Sequence, residues 1–480
     1  MSTKKNFIYN SLLGLTNVLV PVITFPYVSR ILGPEGIGLT SFAISLATTF
    51  IVLASLGIPI YGIREVAKVK DDKERLSKTF SELLAIHFIW SFIVLIIFSV
   101  WLMFTKTYQN ELIIKYLSFI HIFASVGLIN WFYQGVEQYK FISIINFISK
   151  ILAIVLLFVL VKKPEDYWVY YLIIVLSNFV SVLISVFYSF NFVRFKFVGF
   201  NFKLHLKPII ILFSTQLAIS IYVNLDVIML KYFSEIEQVG YYSAAIRIVK
   251  ILLIIITSLG VVLIPKISTF IKEKKTIEVK QLIEKSINFV LILSFPVVVI
   301  LCILSKKIIK LFAGIEFVEA HILVKLLSPL IIIIGLANIF ALQILVPSNK
   351  EKKYMYAVLI ALLVNIVLNG ILIPVLDSKG AVIATILTEL TGLIITFFYS
   401  KALINFKFPI KKAIQYALIS SILLPLSVLI STFVTNDIWY LVVFLICSGC
   451  VYGLFLLVLK DVFFIENMVN PIIFKLKGNK

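Results

Sequence analysis

The sequence predicts an all-α polytopic membrane protein with about fourteen transmembrane helices. Three observations predict it. Of 480 residues, 61% are hydrophobic and only 14% are charged, with a mean hydropathy of +1.07; a soluble domain carries about 45–50% apolar and about 25% charged residues. The apolar residues fall in long unbroken runs, close to the roughly 20 residues needed to cross about 30 Å of hydrocarbon. The 44 Lys and Arg, against 24 Asp and Glu, crowd into alternate connections between those runs. Together these features exclude a soluble enzyme, a disordered chain and a disulfide-rich secreted protein.

In chain order the runs lie near 10–31, 37–62, 80–104, 112–133, 141–161, 167–190, 208–230, 239–264, 286–304, 320–346, 354–376, 380–400, 413–434 and 438–459. Their length and continuity point to helices rather than to alternating porin-type strands of about ten residues. The first run carries Pro21 and Pro26, each of which removes a backbone donor and can bend the helix as a hinge. Lys4 and Lys5 precede it, yet no clear cleavage site follows, so it reads as a span that is kept rather than a signal peptide. Gly33, Pro34, Gly36 and Gly38 then form a tight turn, with Arg30 and Glu35 at its mouth. The remaining connections are short. The largest polar pieces are Arg64–Thr79, Asn191–Lys207, Lys266–Lys285 and the tail from Lys460, all below the roughly 50 residues of an independent domain. No P-loop supplies a nucleotide motor.

With the N-terminus inside, thirty Lys and Arg fall in inner segments, ten in outer segments and four within spans. This bias predicts that both termini are cytoplasmic, and it accounts for the net charge of +20 without nucleic acid. The three cysteines, Cys302, Cys447 and Cys450, all lie in apolar stretches. Cys447 and Cys450 are spaced C-x-x-C but lack polar flanks and a second ligand pair, so they read as packing. His87 and His121 read as polar packing, although imidazole can also serve as a proton relay. No metal site and no organic cofactor is expected.

The spans repeat. Gly38-Leu39-Thr40-Ser41-Phe42-Ala43-Ile44 and Gly240-Tyr241-Tyr242-Ser243-Ala244-Ala245-Ile246 both read G-x-x-S-x-A-I at the start of a span. Gly57-Ile58-Pro59 and Leu263-Ile264-Pro265 end those spans in proline ahead of a basic segment, and the loops Gly135–Lys140 and Ser348–Lys353 occupy equivalent places. The unit is therefore six spans, and an even number makes both copies enter the membrane in the same sense. Two six-helix bundles are then related by a pseudo-two-fold axis along the membrane normal. The expected division is residues 1–200, 201–405, and a C-terminal 406–480 holding helices 13 and 14 and a cytoplasmic tail. A cavity between two similar bundles suits alternating access.

The stretch Thr24-Phe25-Pro26-Tyr27-Val28-Ser29-Arg30-Ile31-Leu32-Gly33-Pro34-Glu35-Gly36-Ile37-Gly38 resembles the first-hairpin signature of O-antigen-type polysaccharide flippases, within the multidrug/oligosaccharidyl-lipid/polysaccharide exporter superfamily. The resemblance continues in Leu225-Asp226-Val227-Ile228-Met229-Leu230, in Leu311-Phe312-Ala313-Gly314-Ile315-Glu316-Phe317, in the Lys350–Lys353 loop and in Gly380-Ala381-Val382-Ile383-Ala384-Thr385, covering about residues 5–400. It implies a flippase, not an enzyme, in the bacterial inner membrane. The implied substrate is undecaprenyl-diphosphate-linked oligosaccharide, moved from the cytoplasmic to the outer leaflet for O-antigen or capsule biosynthesis. The implied partners are that polyprenyl-diphosphate-linked glycan, membrane lipids, and a polysaccharide polymerase with its chain-length machinery. Many members have twelve spans, and the extra pair here resembles the lipid II flippase branch.

Ionised side chains deep in a span cost about 2.5–3.5 kcal/mol on insertion scales, so they face a cavity or a partner. Arg247 and Lys250 lie about 12 and 16 Å into span eight and, at i and i+3, share a face. Lys150 in span five sits near mid-depth, as do Glu389 in span twelve and His121 in span four. Asn17, Asn130, Gln216 and Asn224 add polar groups. One reading is a cationic cavity in which Arg247, Lys250 and Lys150 meet the diphosphate, while Asp226 and Glu389 bind H⁺ or Na⁺ for coupling. The plainer reading pairs Asp226 with Arg247 structurally and lets Lys150 snorkel. Arg30 is at least as readily part of a structural turn. The rival function is a drug/cation antiporter of the multidrug-extrusion type, which would prefer a mainly acidic cavity. A membrane-embedded glycosyltransferase would need a large outer loop, and none exists. Spans thirteen and fourteen, with Gly449 and Gly453 at a small-x-x-x-small spacing that permits close approach, are expected to pack on the second bundle. They would either form an apolar groove for a polyprenyl tail or serve packing alone.

Overall fold

A computed structural model describes residues 3–105, 111–195 and 202–470. For residues 3–13, 15–18, 203, 211, 215, 259, 261, 262 and 468 it describes the backbone only. Asn17 therefore has no described side chain, while Lys106 and the tail beyond Asn470 lie outside the described residues. Among the described residues there is helix and no strand.

The chain begins with α1 (Thr3–Ser55), α2 (Ile58–Val69), α3 (Lys73–Phe104), α4 (Leu112–Ser125), α5 (Asn130–Gly135) and α6 (Tyr139–Leu160). It continues with α7 (Tyr167–Ser189), α8 (Phe202–Phe233), α9 (Ile236–Lys272), α10 (Thr276–Ala313), α11 (His321–Leu327) and α12 (Leu330–Asn338). Last come α13 (Glu351–Lys401), α14 (Ile410–Ser421), α15 (Leu423–Phe433), α16 (Asp437–Val458) and α17 (Val462–Phe464). Eleven stretches are long and apolar enough to cross a membrane, and a twelfth is bent by 48° between Leu327 and Leu330. Pro329, which cannot donate to the preceding turn, sits at that bend. Two of the eleven carry a non-helical residue inside them, Gly33 in α1 and Asp377 in α13. At Gly33 φ is 65°, a conformation that costs glycine nothing. At Asp377 φ is 51°, and a Cβ on Gly380 would lie 2.3 Å from the Leu372 carbonyl oxygen. Residues eight apart in a straight helix are about 12 Å apart, so the chain folds back there. Divided at these two turns, the described residues contain fourteen apolar segments: this is a multi-pass membrane protein.

One boundary differs from the sequence reading. The second span ends at Ser55 rather than near 62. Gly57, at φ 71°, caps a separate helix, α2, with Pro59 in its first turn. Glycine is required there on a second count, because a Cβ would lie 2.7 Å from the Phe213 backbone nitrogen. The expected counterpart, Pro265, lies inside an uninterrupted α9. The two proline sites of the repeat therefore serve different backbones.

The chain divides into two compact units. The first comprises Met1–Ser243 with Leu368–Ala381, and the second Ala244–Val367 with Val382–Lys480. In the first, an aromatic core of Tyr61, Phe80, Trp131, Phe132 and Tyr133 packs where α2, α3 and α5 meet. The Lys70 ammonium and Glu137 carboxylate, 2.6 Å apart, tie α2 to the turn before α6. The hydrogen bond to Lys70 holds the Glu137 carboxyl below its ordinary pKa.

In the second unit, α15 and α16 lie on α10 through Leu304, Leu423, Ile430, Leu441 and Phe444. The Tyr452 hydroxyl donates to the Ile292 carbonyl at 2.9 Å. Asp437 meets Lys310 at 3.0 Å and Lys307 at 3.2 Å, and the Lys307 ammonium lies 3.6 Å from the Tyr440 ring centroid. The pair thus packs within this unit, but not through its glycines. A Cβ on Gly449 would meet nothing within 4 Å, and one on Gly453 only Phe464. The face turned to α10 is that of Leu441, Phe444 and Tyr452, which leaves Gly449 off the contact.

Candidate functional site

The glycines of the repeated motif come together in the first unit. A Cβ on Gly38 would lie 2.1 Å from the Ile236 carbonyl oxygen, and one on Gly240 would lie 2.0 Å from that of Pro34. Each glycine therefore meets the carbonyl four residues ahead of the other. Such reciprocity is the mark of a local two-fold relation between the turn after Gly33 and the opening of α9. Gly240→Ala is expected to lower the melting temperature of the purified protein, since overpacking of this kind costs about 1–3 kcal/mol. Gly370→Ala is the control, because nothing lies within 4 Å of its Cβ position. Equal melting temperatures for the two variants would refute the close contact.

At the same end of the first unit lies Asp226 on α8, which is buried. It accepts from the Tyr242 hydroxyl at 2.6 Å and from the Asn369 amide at 2.7 Å. Asn369 comes from the first arm of α13 and is fully buried. Nearby, the Ser234 hydroxyl bonds Asp377 at 2.7 Å, which braces the backbone turn. Arg30 is exposed on α1, and its guanidinium donates to the Pro26 carbonyl. The helix runs through Pro21 and Pro26 without a non-helical residue, and breaks at Gly33 instead.

A second polar group lies halfway along α4, α6 and α7. The Ser181 hydroxyl donates to Ser149 Oγ at 2.8 Å, and Ser177 donates to the Ser149 carbonyl at 3.2 Å. Lys150, half-buried, follows Ser149 on α6. The exposed residues of that helix include Phe147, Ile148, Ile151, Leu152, Val155 and Val159; at 100° per residue they form a broad stripe whose edge lies about 60° from Lys150. Glu389, also half-buried, stands nearly opposite exposed Leu387, Leu390, Ile394 and Phe398 on α13. His121, on α4, joins the group through Tyr171 and Asn178 of α7. Composition alone does not single out Ser177, Asn178 or Ser181. The available signal was the four-residue spacing of Ser177, Ser181, Ser185 and Ser189 on one helix.

In the second unit Arg247 is half-buried and Lys250 exposed, one turn apart on α9. Further along α9 is a cavity of about 60 Å³ lined by Thr257, Gly260, Ser286, Asn338 and Gln343 among apolar residues. Its wall includes a π-helical turn, Ile339–Leu345, the irregularity that recurs at functional sites. Gln343 is buried, accepts from the Ser286 hydroxyl at 2.8 Å, and occupies the place a Cβ on Gly260 would need. The sequence reading passed over Gln343, since a single amide in an apolar run gives no pattern.

It also passed over a buried network at the start of α8. There the His205 ring meets Glu82 at 3.1 Å and the Tyr61 hydroxyl at 2.9 Å. Burial, with Glu65 close by, pushes the Tyr61 phenol above its ordinary pKa. Among the described residues no group of three His, Cys, Asp or Glu could hold a metal ion. The three cysteines are free thiols.

Residues 3–271 match the family model described as polysaccharide biosynthesis protein, and residues 208–371 match the model described as MatE. The chain is similar to a putative O-antigen transporter of Escherichia coli (strain K12), 26% identical over 83% of this chain and 97% of that one. It is also similar to the capsular polysaccharide biosynthesis protein CapF of Staphylococcus aureus, 23% identical over 83% and 99%. A solved structure of the lipid II flippase MurJ in an inward closed conformation superposes with a TM-score of 0.75 over 95% of this chain and 99% of that one, at 17% identity. That likeness establishes the fold.

Proposed function

This chain belongs to the polysaccharide biosynthesis protein family, and on that premise we propose that it flips polyprenyl-diphosphate-linked oligosaccharide from the cytoplasmic to the outer leaflet by alternating access. The observation that carries this reading is the character of the deep charges. Arg247 and Lys250 share a face of α9. Two cations one turn apart deep in a span fit an anionic diphosphate, which Arg meets with a planar fork and Lys with a point charge. Drug/cation antiport, which the MatE match would allow, calls for a mainly acidic interior instead. The chain supplies recognition and movement of the substrate and needs no bond-making group. Asp226, held by Tyr242 and Asn369, is the place for a coupling H⁺ or Na⁺, with Glu389 as a second acid. A polysaccharide polymerase would consume the flipped product. Leaflet-resolved labelling of lipid-linked glycan in cells lacking the protein is expected to find the glycan retained on the cytoplasmic side. Normal outer-leaflet glycan in those cells overturns the reading.

The orientation follows from the charge bias. Thirty Lys and Arg in alternate connections, against ten in the others, support an orientation with both ends of the chain on the cytoplasmic side of the bacterial inner membrane. Single cysteines placed at Lys274 and at Asp377 are expected to react with an impermeant thiol reagent from opposite sides, Asp377 from outside. Labelling of both from outside contradicts this topology.

A further inference from the structure

Both ring nitrogens of His121 face polar side chains of a single neighbouring helix, α7, near mid-depth of its span. It is over nine-tenths buried. Asn178 Nδ2 lies 3.1 Å from its Nε2, and the Tyr171 hydroxyl lies 3.3 Å from its Nδ1. An amide nitrogen can only donate, so Nε2 accepts and Nδ1 carries the proton. The bonds then run in one direction: Asn178 N–H to Nε2, Nδ1–H to Tyr171 Oη, Tyr171 O–H to Ser118 Oγ at 3.4 Å, and Ser118 O–H to the Ile114 carbonyl at 2.8 Å. This chain is satisfied by a neutral ring. A proton added to Nε2 would face the amide N–H of Asn178. A half-turn of that amide replaces the donor by Oδ1, and both ring N–H groups of the imidazolium then have acceptors. The arrangement has two self-consistent states, which differ by one proton and one amide rotation.

Asn178 also supplies the route. It is exposed, although its helix is apolar. Its exposure is not toward lipid: exposed Leu176, Val180, Leu183, Ile184 and Phe187 mark the lipid stripe of α7, and Asn178 is about 200° from Leu176 and from Val180. An amide that is open to space in the interior of a membrane protein meets water or a polar ligand, since hydrocarbon would leave it unsatisfied.

We propose that His121 is a proton-binding site gated by the Asn178 amide, distinct from Asp226. The ligand is a proton, taken by Nε2 through the space that Asn178 faces. Tyr171 is the titratable group in contact with the ring. The other titratable or charged groups with described side chains here are Glu111 ahead of α4, Lys115 and Tyr116 on α4, Tyr167, Tyr170 and Tyr188 on α7, Lys73, Glu74, Arg75, Lys78, Glu82 and His87 on α3, and Tyr27, Arg30 and Glu35 on α1. None of these bonds the imidazole among the described residues. Glu111 is engaged by the Tyr167 hydroxyl. A part for this proton in glycan movement rests on the flippase reading; the binding itself does not.

The chain has four histidines, so solid-state ¹⁵N NMR of histidine-labelled full-length protein in lipid bilayers can follow each ring. His121→Gln identifies the resonance. If that variant fails to fold, His87→Gln, His205→Gln and His321→Gln identify it by elimination. The expected result is conversion of His121 from the neutral to the doubly protonated ring as the pH is lowered, with a midpoint that moves with residue 178. Asn178→Asp, which sets a carboxylate beside the ring, is expected to raise the midpoint by about one unit or more. Asn178→Leu, which removes the acceptor, is expected to lower it. A His121 ring that stays neutral at every pH at which the protein remains folded, in both the unaltered protein and Asn178→Asp, overturns the proposal. So does a midpoint indifferent to residue 178. The expected titration in a protein that moves no glycan would leave the site standing and remove the flippase reading instead.

Discussion

Replacing Arg247 and Lys250 together by alanine is expected to reduce outer-leaflet glycan by about 100-fold or more while the protein still inserts. A charge-assisted hydrogen bond contributes about 1.5–3 kcal/mol, and every 1.4 kcal/mol is tenfold, so losing two such contacts with a diphosphate reaches that range. The single variants should fall between. Arg247→Lys keeps the charge and loses the fork, so its export should be intermediate if bidentate phosphate recognition is used. Leaflet-resolved labelling, normalised to the amount of protein in the membrane, reads the effect. A double-alanine variant that exports at the unaltered rate would remove the cationic face of α9 from the mechanism.

Truncation after Lys412, which deletes most of α14 and all of α15 and α16, is expected to lower the amount of inserted protein several-fold or more. Changes of about 1–2 kcal/mol already alter abundance several-fold. The truncation removes much more. It uncovers the face of α10 around Leu304, leaves Lys307 and Lys310 without Asp437, and strips the Tyr452 bond from Ile292. In lipid, helix association rests on such packing and hydrogen bonds because the surrounding chains are as apolar as the helices. Tyr452→Phe deletes that one bond and should cost no more than about 0.5–1.7 kcal/mol. Membrane abundance and thermal stability check both. A truncated protein that inserts normally and exports its native carrier would deny the pair any role. One that inserts normally but loses export only for long-prenyl carriers would assign it the tail-binding groove instead.

The fold was largely legible in the sequence because lipid imposes one constraint everywhere: backbone groups must be satisfied within the segment, and about 20 apolar residues are needed to cross. That constraint produced the fourteen runs, and the structure contains fourteen apolar segments once Gly33 and Asp377 divide their helices. The glycine-rich turn after span one was readable for the same local reason, since φ at Gly33 is 65°. The end of span two was not, because Gly57 is fixed by the approach of Phe213 from a helix 150 residues further on.

For the candidate sites the division is similar. The sequence by itself determined which ionisable groups lie deep, since hydrophobic runs make a Lys150, an Asp226 or a Glu389 conspicuous. Only the tertiary structure decided what each one meets. Asp226 lies against Tyr242 and Asn369 from two other helices, and His121 is read by Asn178 and Tyr171, more than fifty residues away or close to it. Neutral Ser, Asn, Gln and Tyr are common in apolar helices and carry no charge to betray them. Their meaning comes from hydrogen-bond direction and from which side of a helix faces lipid, and neither exists until the helices have packed.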